Sequence, residues 1–135
     1  MPNIFLKHTL AVVAGLALLV SPASVVRAQT GIERKVLLQE DLNIPGYETV
    51  LVAVTIAVGG REGRHIHSAT LVGQVLEGQL TLEQEGLPAR TYNAGDSITV
   101  KPGQIHEGIN TGKTPTKILA TFIAEKGKPL TTQVK

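Results

Sequence analysis

The segment GGREGRHIHSATLVGQVLEG, Gly59 to Gly78, decides how this chain is read, together with GDSITVKPGQIHEGIN, Gly95 to Asn110. One of the four histidines, His8, lies near the amino terminus; His65, His67 and His106 fall inside these two segments. His65 and His67 are two residues apart, so on a β-strand both rings project from the same face. His106 comes from the second segment and is placed to complete a set of three imidazoles. A divalent transition metal takes neutral imidazole at about 2.0–2.2 Å, and three such ligands leave positions open for water or substrate. Gly59, Gly60 and Gly63 allow a tight turn into the first strand, and Pro102-Gly103 turns the chain shortly before His106. Each histidine also has a plainer reading. A lone His on an apolar strand is commonly a hydrogen-bonded core residue, and exposed strands carry HxH pairs by chance. On the residues alone, both readings stand.

Outward from these segments the chain reads as all-β. Tyr47 to Val58 (YETVLVAVTIAV) alternates, with Val50, Val52, Val54, Ile56 and Val58 on one face. Val75-Leu76, Gln79 to Gln84, Ala89 to Tyr92, Ser97 to Val100 and Thr116 to Ala124 are short and β-prone. Glu85-Gly86, Asn93 to Asp96 and Asn110 to Lys113 between them carry turn chemistry. Strands recurring about every eight to twelve residues, without a helical period, indicate a sandwich, jelly roll or small barrel. Ile32 to Leu42 fits either an edge strand or an irregular arm. Lys126 to Lys135 is polar and is expected to fray or to pack on a partner.

Residues 1–28 read as an export signal. Lys7 gives a short positive region, an apolar run follows from Leu10 to Val20, and Val26-Arg27-Ala28 suits cleavage before Gln29. The apolar run is shorter than the ~20 residues that a spanning helix needs. The expected mature chain, residues 29–135, is one small domain in the periplasm or outside the cell, with no membrane attachment after cleavage. The full chain carries a formal charge of +2, but losing Lys7 and Arg27 leaves 11 basic against 11 acidic residues. No basic stripe or aromatic platform remains to hold nucleic acid. Cysteine is absent, which excludes thiolate catalysis, cysteine-zinc sites and disulfides. With Tyr47, Tyr92 and Phe122 as its aromatic residues, the mature chain must build its core from Val, Ile and Leu. So small an apolar core would gain from association, and a homodimer is expected.

The two segments resemble the paired motifs of the cupin superfamily, whose fold is a β-barrel of the double-stranded β-helix or jelly-roll type. The first motif is G, five residues, HxH, three or four residues, E, six residues, G; Gly59, His65, His67 and Gly78 fill it. The second is G, five residues, PxG, two residues, H, three residues, N; Gly95, Gly103, His106 and Asn110 fill it. The likeness runs from about residue 47 to 124. Two departures stand out. Lys101 takes the place of the second motif's proline, which follows one residue later as Pro102. The glutamate of the first motif is replaced by Leu71, with Thr70 and Val72 beside it.

The resemblance implies a divalent transition metal on His65, His67 and His106: iron first, then manganese, zinc or nickel. Softer ligands are missing, which argues against copper(I). Three neutral ligands leave the charge of the ion uncompensated, which favours an anionic or enolate-like substrate. Among cupins, a three-histidine iron centre resembles that of thiol and diketone dioxygenases, so a small-molecule dioxygenase is one expected function. A zinc-filled site would look hydrolytic. Glu62 is the first candidate for a substitute fourth ligand. Gln74 and Glu107 follow, although Glu107 should face away from His106 along a strand. Otherwise each of the three is expected at a solvated position. The second functional reading is a binding module for a sugar or other small molecule, with or without metal. Val52, Val54, Ile56, Leu71 and Ile98 are the expected pocket wall. A structural or sensory accessory role has only export and small size in its favour.

Overall fold

Apolar residues at every second position bury one face of a strand, and that pattern sets the architecture. The computed structural model describes residues 31–135, which form ten strands and no helix. In order these are β1 (Ile32–Asp41), β2 (Tyr47–Ile56), β3 (His65–His67), β4 (Thr70–Glu77) and β5 (Gln79–Gln84), then β6 (Arg90–Asn93), β7 (Ser97–Val100), β8 (His106–Ile109), β9 (Thr116–Glu125) and β10 (Thr131–Gln133). They make two five-stranded sheets, β1-β2-β9-β4-β7 and β10-β3-β8-β5-β6, with antiparallel pairing throughout. This is the double-stranded β-helix expected from the sequence. The leader, residues 1–28, lies outside the described residues.

The core is the inward face of both sheets. Val50, Val52, Val54 and Ile56 of β2 meet Ile118, Ala120, Phe122 and Ala124 of β9, with Leu71 and Val75 of β4 and Ile98 and Val100 of β7. Leu80 and Leu82 of β5 close the interior from the opposite sheet. Each fully buried Val, Leu or Ile contributes about 1.5–3 kcal/mol relative to exposure. The alternation of β2 stops two residues earlier than the sequence suggests. Val58 is 55% exposed, because the chain turns at Ala57 to Gly60 with Gly60 N–H donating to Ala57 O at 2.8 Å.

Ile32 to Leu42, left open between two readings, supplies the edge strand β1, paired in register with β2 from Ile32↔Ile56 to Asp41↔Glu48. Its register shifts between Val36 and Leu38, and Glu33, Lys35, Glu40 and Asp41 are exposed. A bulge and charges are the usual protection of a free sheet edge. Lys126 to Lys135, expected to fray or to pack on a partner, does not fray and pairs within the chain through β10. Thr131 pairs with His67 and Gln133 with His65, while Leu130 packs against the core. Gly78 joins β4 to β5 at φ +75°, where a Cβ would lie 2.6 Å from Pro115 O, so both conformation and space demand glycine.

Candidate metal centre

The shortest strands carry the chemistry. In β3 the two-residue period turns His65 and His67 into the barrel, 2% and 4% exposed. His106, at the start of β8, pairs directly with His65. The three ring centroids lie 4.2–4.8 Å apart, and Phe122 stands edge-on to His67 at 4.9 Å. One ligand nitrogen from each residue falls within 4.8 Å of the others.

The hydrogen bonds fix which nitrogens face inward. His65 Nδ1 is 2.7 Å from Gly63 O and His106 Nδ1 is 2.8 Å from Gln104 O. His67 Nδ1 is 3.0 Å from Leu130 O and 3.1 Å from Thr131 Oγ1. A carbonyl only accepts, so each Nδ1 carries a proton, and in the neutral ring Nε2 is then the nitrogen with the lone pair. His67 Nε2 and His106 Nε2 then face each other at 3.1 Å. Protonating either is disfavoured. Burial, followed by the neighbouring His106 and His65, lowers His67 to about 3. Burial lowers His106 to about 4, against the raising effect of the Gln104 carbonyl. Two apposed acceptors without a proton between them repel. Two nitrogens bound to one ion at about 2.0–2.1 Å stand about 2.9–3.4 Å apart, for angles between octahedral and tetrahedral. The spacing of this pair therefore fits a shared metal ion.

These rings open onto a cavity of about 200 Å³. Val52, Val54, Leu71 and Ile98 line it, as the sequence suggests, with Phe122 and Val100 beside them. Ile56 does not: it is 0% exposed, and lies at the Asn110 end of β2, where its carbonyl accepts from Asn110 Nδ2 at 3.0 Å. Leu71, where the motif glutamate would stand, is paired with Phe122 and Val100 and adds an apolar wall in place of a ligand.

The three substitute-ligand candidates separate. Gln74 is exposed on the outer face and donates to Gly95 O at 3.3 Å. Glu107 faces away from His106 as expected, but it is not solvated: at 6% exposure it is held by Arg61 Nε and Nη2 at 3.0 and 2.8 Å and by Gly63 N–H at 3.1 Å. Arg61 keeps its carboxyl below the usual carboxylate range, outweighing burial. Because Gly63 O in turn holds His65 Nδ1, the Arg61–Glu107 pair steadies the loop that orients His65. Glu62 turns inward and lines the cavity, yet stands outside the converging set of three histidines. Sequence reasoning missed Arg34 and Val36 of β1 and Leu130 and Thr131 at β10, which also line the cavity.

Fold and site together define a double-stranded β-helix with three buried histidines positioned to bind a metal. The chain belongs to the cupin domain family, whose profile matches residues 52–122. Curated proteins give no match. Among solved structures it is similar to an uncharacterised double-stranded β-helix protein from Klebsiella pneumoniae (22% identity, covering 80% of this chain and 88% of that one, TM-score 0.64). It is also similar to an oxalate oxidase (24% identity, 80% and 57% covered, TM-score 0.64) and to a DMSP lyase from Ruegeria pomeroyi (19% identity, 77% and 52% covered, TM-score 0.66). The chain thus spans little more than half of the oxidase and of the lyase, and these likenesses concern the fold.

Proposed function

We propose that His65, His67 and His106 hold a divalent transition metal, iron first and manganese, zinc or nickel after it, at which a small molecule is bound and transformed. The observation that carries this is the 3.1 Å approach of His67 Nε2 and His106 Nε2 in a buried site where both Nδ1 atoms face carbonyl oxygens, an arrangement that a shared cation stabilises. The loaded ion would supply Lewis-acid activation and, for iron, access to dioxygen chemistry. The chain's own residues do the rest. Neutral imidazoles leave the site positively charged, which draws an anionic or enolate-like group. Leu71, Phe122 and Ile98 exclude water and fit an aliphatic body. A dioxygenase is the reaction class that this combination favours, and the fold neighbours include proteins that act on small molecules, an oxalate oxidase and a DMSP lyase.

The second reading, a binding module without catalysis, rests on Leu71: a ligand position has become wall, and the cavity is mostly apolar. Such a wall suits an aliphatic ligand better than a sugar. Elemental analysis separates the two, using protein made without a His tag and without chelators, beside His106→Ala. Near-stoichiometric metal that disappears in the variant supports the metal centre, whereas no metal in either protein after reconstitution leaves the binding module.

Export to the periplasm or beyond, with cleavage before Gln29, belongs to the same proposal and is checked by the amino-terminal sequence of secreted protein. So does a homodimer. The outer face of the first sheet carries a hydrogen-bonded row of Leu38, Leu51, Thr121 and Val72, with Val72 48% and Leu38 44% exposed. Burying such a row against its symmetry mate is a reasonable use of it, and sedimentation analysis reads the mass directly.

A further inference from the structure

One carboxylate inside the barrel is not used by the set of histidines. Glu62 sits between β2 and β3 with its side chain only 14% exposed, lining the same cavity as His65, His67 and His106. Two features of the chain mark its seat. Arg34 reaches over from β1 and sets Nη2 2.9 Å from Glu62 Oε1. Below the carboxylate lies Gly108 of β8, where an added Cβ would crowd Glu62 Oε2 and the carboxylate would have to shift. Glycine weakens a strand interior, and often marks a close approach of this kind. Gly108 follows His106 by two residues on the same face, so the carboxylate seat lies one strand repeat, about 7 Å, from that histidine's backbone. A carboxylate among apolar walls is unfavourable unless positive charge and hydrogen bonds compensate it. Arg34 supplies positive charge from one side, and a dipositive ion among neutral imidazoles would supply it from the other.

We propose that Glu62 is the outer-sphere carboxylate of this centre, seated over Gly108 and paired with Arg34, whose charge opposes that of the ion. It does not ligate the ion; it accepts a hydrogen bond from an ionisable group of the ligand held there. The inference rests on the metal-centre reading above and gives that reading a ligand class. The ligand joins a short apolar body to a hydroxyl, enol or thiol, its heteroatom toward the histidines and its hydrogen toward Glu62. The negative charge that Leu71 removes from β4 is thereby returned from the loop before β3, at hydrogen-bonding distance from the ligand instead of in contact with the ion.

The test uses charge to separate this role from a structural clasp. Zn²⁺ affinity is measured by chelator competition for the wild type, Glu62→Gln, Arg34→Gln and Arg34→Lys, with folding checked by circular dichroism. Glu62→Gln should weaken binding at least about tenfold, Arg34→Gln should tighten it about threefold, and Arg34→Lys should stay within about twofold. Parallel weakening in Glu62→Gln and Arg34→Gln overturns the proposal, since that is what loss of a bridge between sheets would give. A loss beyond about a thousandfold in Glu62→Gln, with an altered visible spectrum of the Co²⁺ protein, also overturns it by making Glu62 a direct ligand. The ligand class is read on the Co²⁺ protein with azide, which has no proton to give, and acetohydroxamic acid, which has one. Glu62→Gln should bind azide more tightly and the hydroxamic acid less tightly, and a change of the same sign for both refutes the hydrogen-bonding role. Wild-type protein that takes up neither Zn²⁺ nor Co²⁺ would remove the metal centre itself, a failure distinct from that of Glu62.

Discussion

Deleting residues 130–135 should cost the protein its metal before it costs the fold. Those residues contain β10, which pairs with β3 through Thr131↔His67, Thr132↔Ile66 and Gln133↔His65. They also carry both acceptors that face His67 Nδ1: Leu130 O at 3.0 Å and Thr131 Oγ1 at 3.1 Å. Without them the ring is free to rotate, and its proton is free to move to Nε2, where it would block a ligand lone pair. Losing the partner that orients a ligating histidine typically costs 10–100-fold in metal affinity, or about 1.4–2.8 kcal/mol. Two milder changes calibrate the effect. Thr131→Val removes the longer contact and keeps the Leu130 carbonyl, so a loss under about fivefold is expected. Deleting only residues 134–135 breaks the contact of Val134 N–H with Arg64 O at 3.0 Å and should stay within about twofold. Chelator competition with Zn²⁺ measures all three, with circular dichroism reporting the sheets. If the 130–135 deletion keeps its sheets and binds within twofold of the intact chain, the argument that β10 orients His67 is wrong.

Two further outcomes follow from the same geometry. Asn110, 1% exposed, donates to Ile56 O at 3.0 Å and Thr114 O at 2.8 Å and accepts from Gly112 N–H at 2.9 Å. Asn110→Ala should therefore lower the unfolding free energy by about 2–4 kcal/mol in urea titrations, and a loss below about 1 kcal/mol would show that water replaces those bonds. The metal-free protein should also be acid-sensitive. His67 and His106 are lowered to about 3 and about 4 in the folded state, against about 6.5 in the unfolded chain. Below about pH 6.5 the unfolded state binds more protons, so stability is complete above that pH and falls as pH drops toward 4 and 3. Thermal midpoints unchanged from pH 7 to pH 4 would contradict the buried, neutral imidazoles.

What the sequence reveals here is face, and what it hides is place along the barrel. Period two puts Val52, Val54 and Ile56 on one side of β2, but only the first two reach the cavity, because the histidines lie nearer one end of the interior than the other. The histidines were legible because their spacing and flanking glycines are local. Arg34 was not: β1 lies almost wholly exposed at the edge of its sheet, so no alternation marks Arg34 as lining the cavity. Nor was β10, whose residues Thr131, Thr132 and Gln133 are polar and form a strand only because β3 offers them an edge. The burial of Glu107 depends on Arg61, 46 residues away in sequence, a pairing that composition cannot announce.

The carbonyls of Gly63, Gln104 and Leu130 hold the three imidazoles, and each belongs to the main chain. Exchanging one side chain for another leaves such an acceptor in being. Variation at positions 52, 54, 71 and 98 can therefore remodel the chamber while the grip on the rings stays constant. The scaffold separates an inherited holder from a replaceable lining, and a library randomised at those four positions would change what is admitted without having to rebuild what admits it.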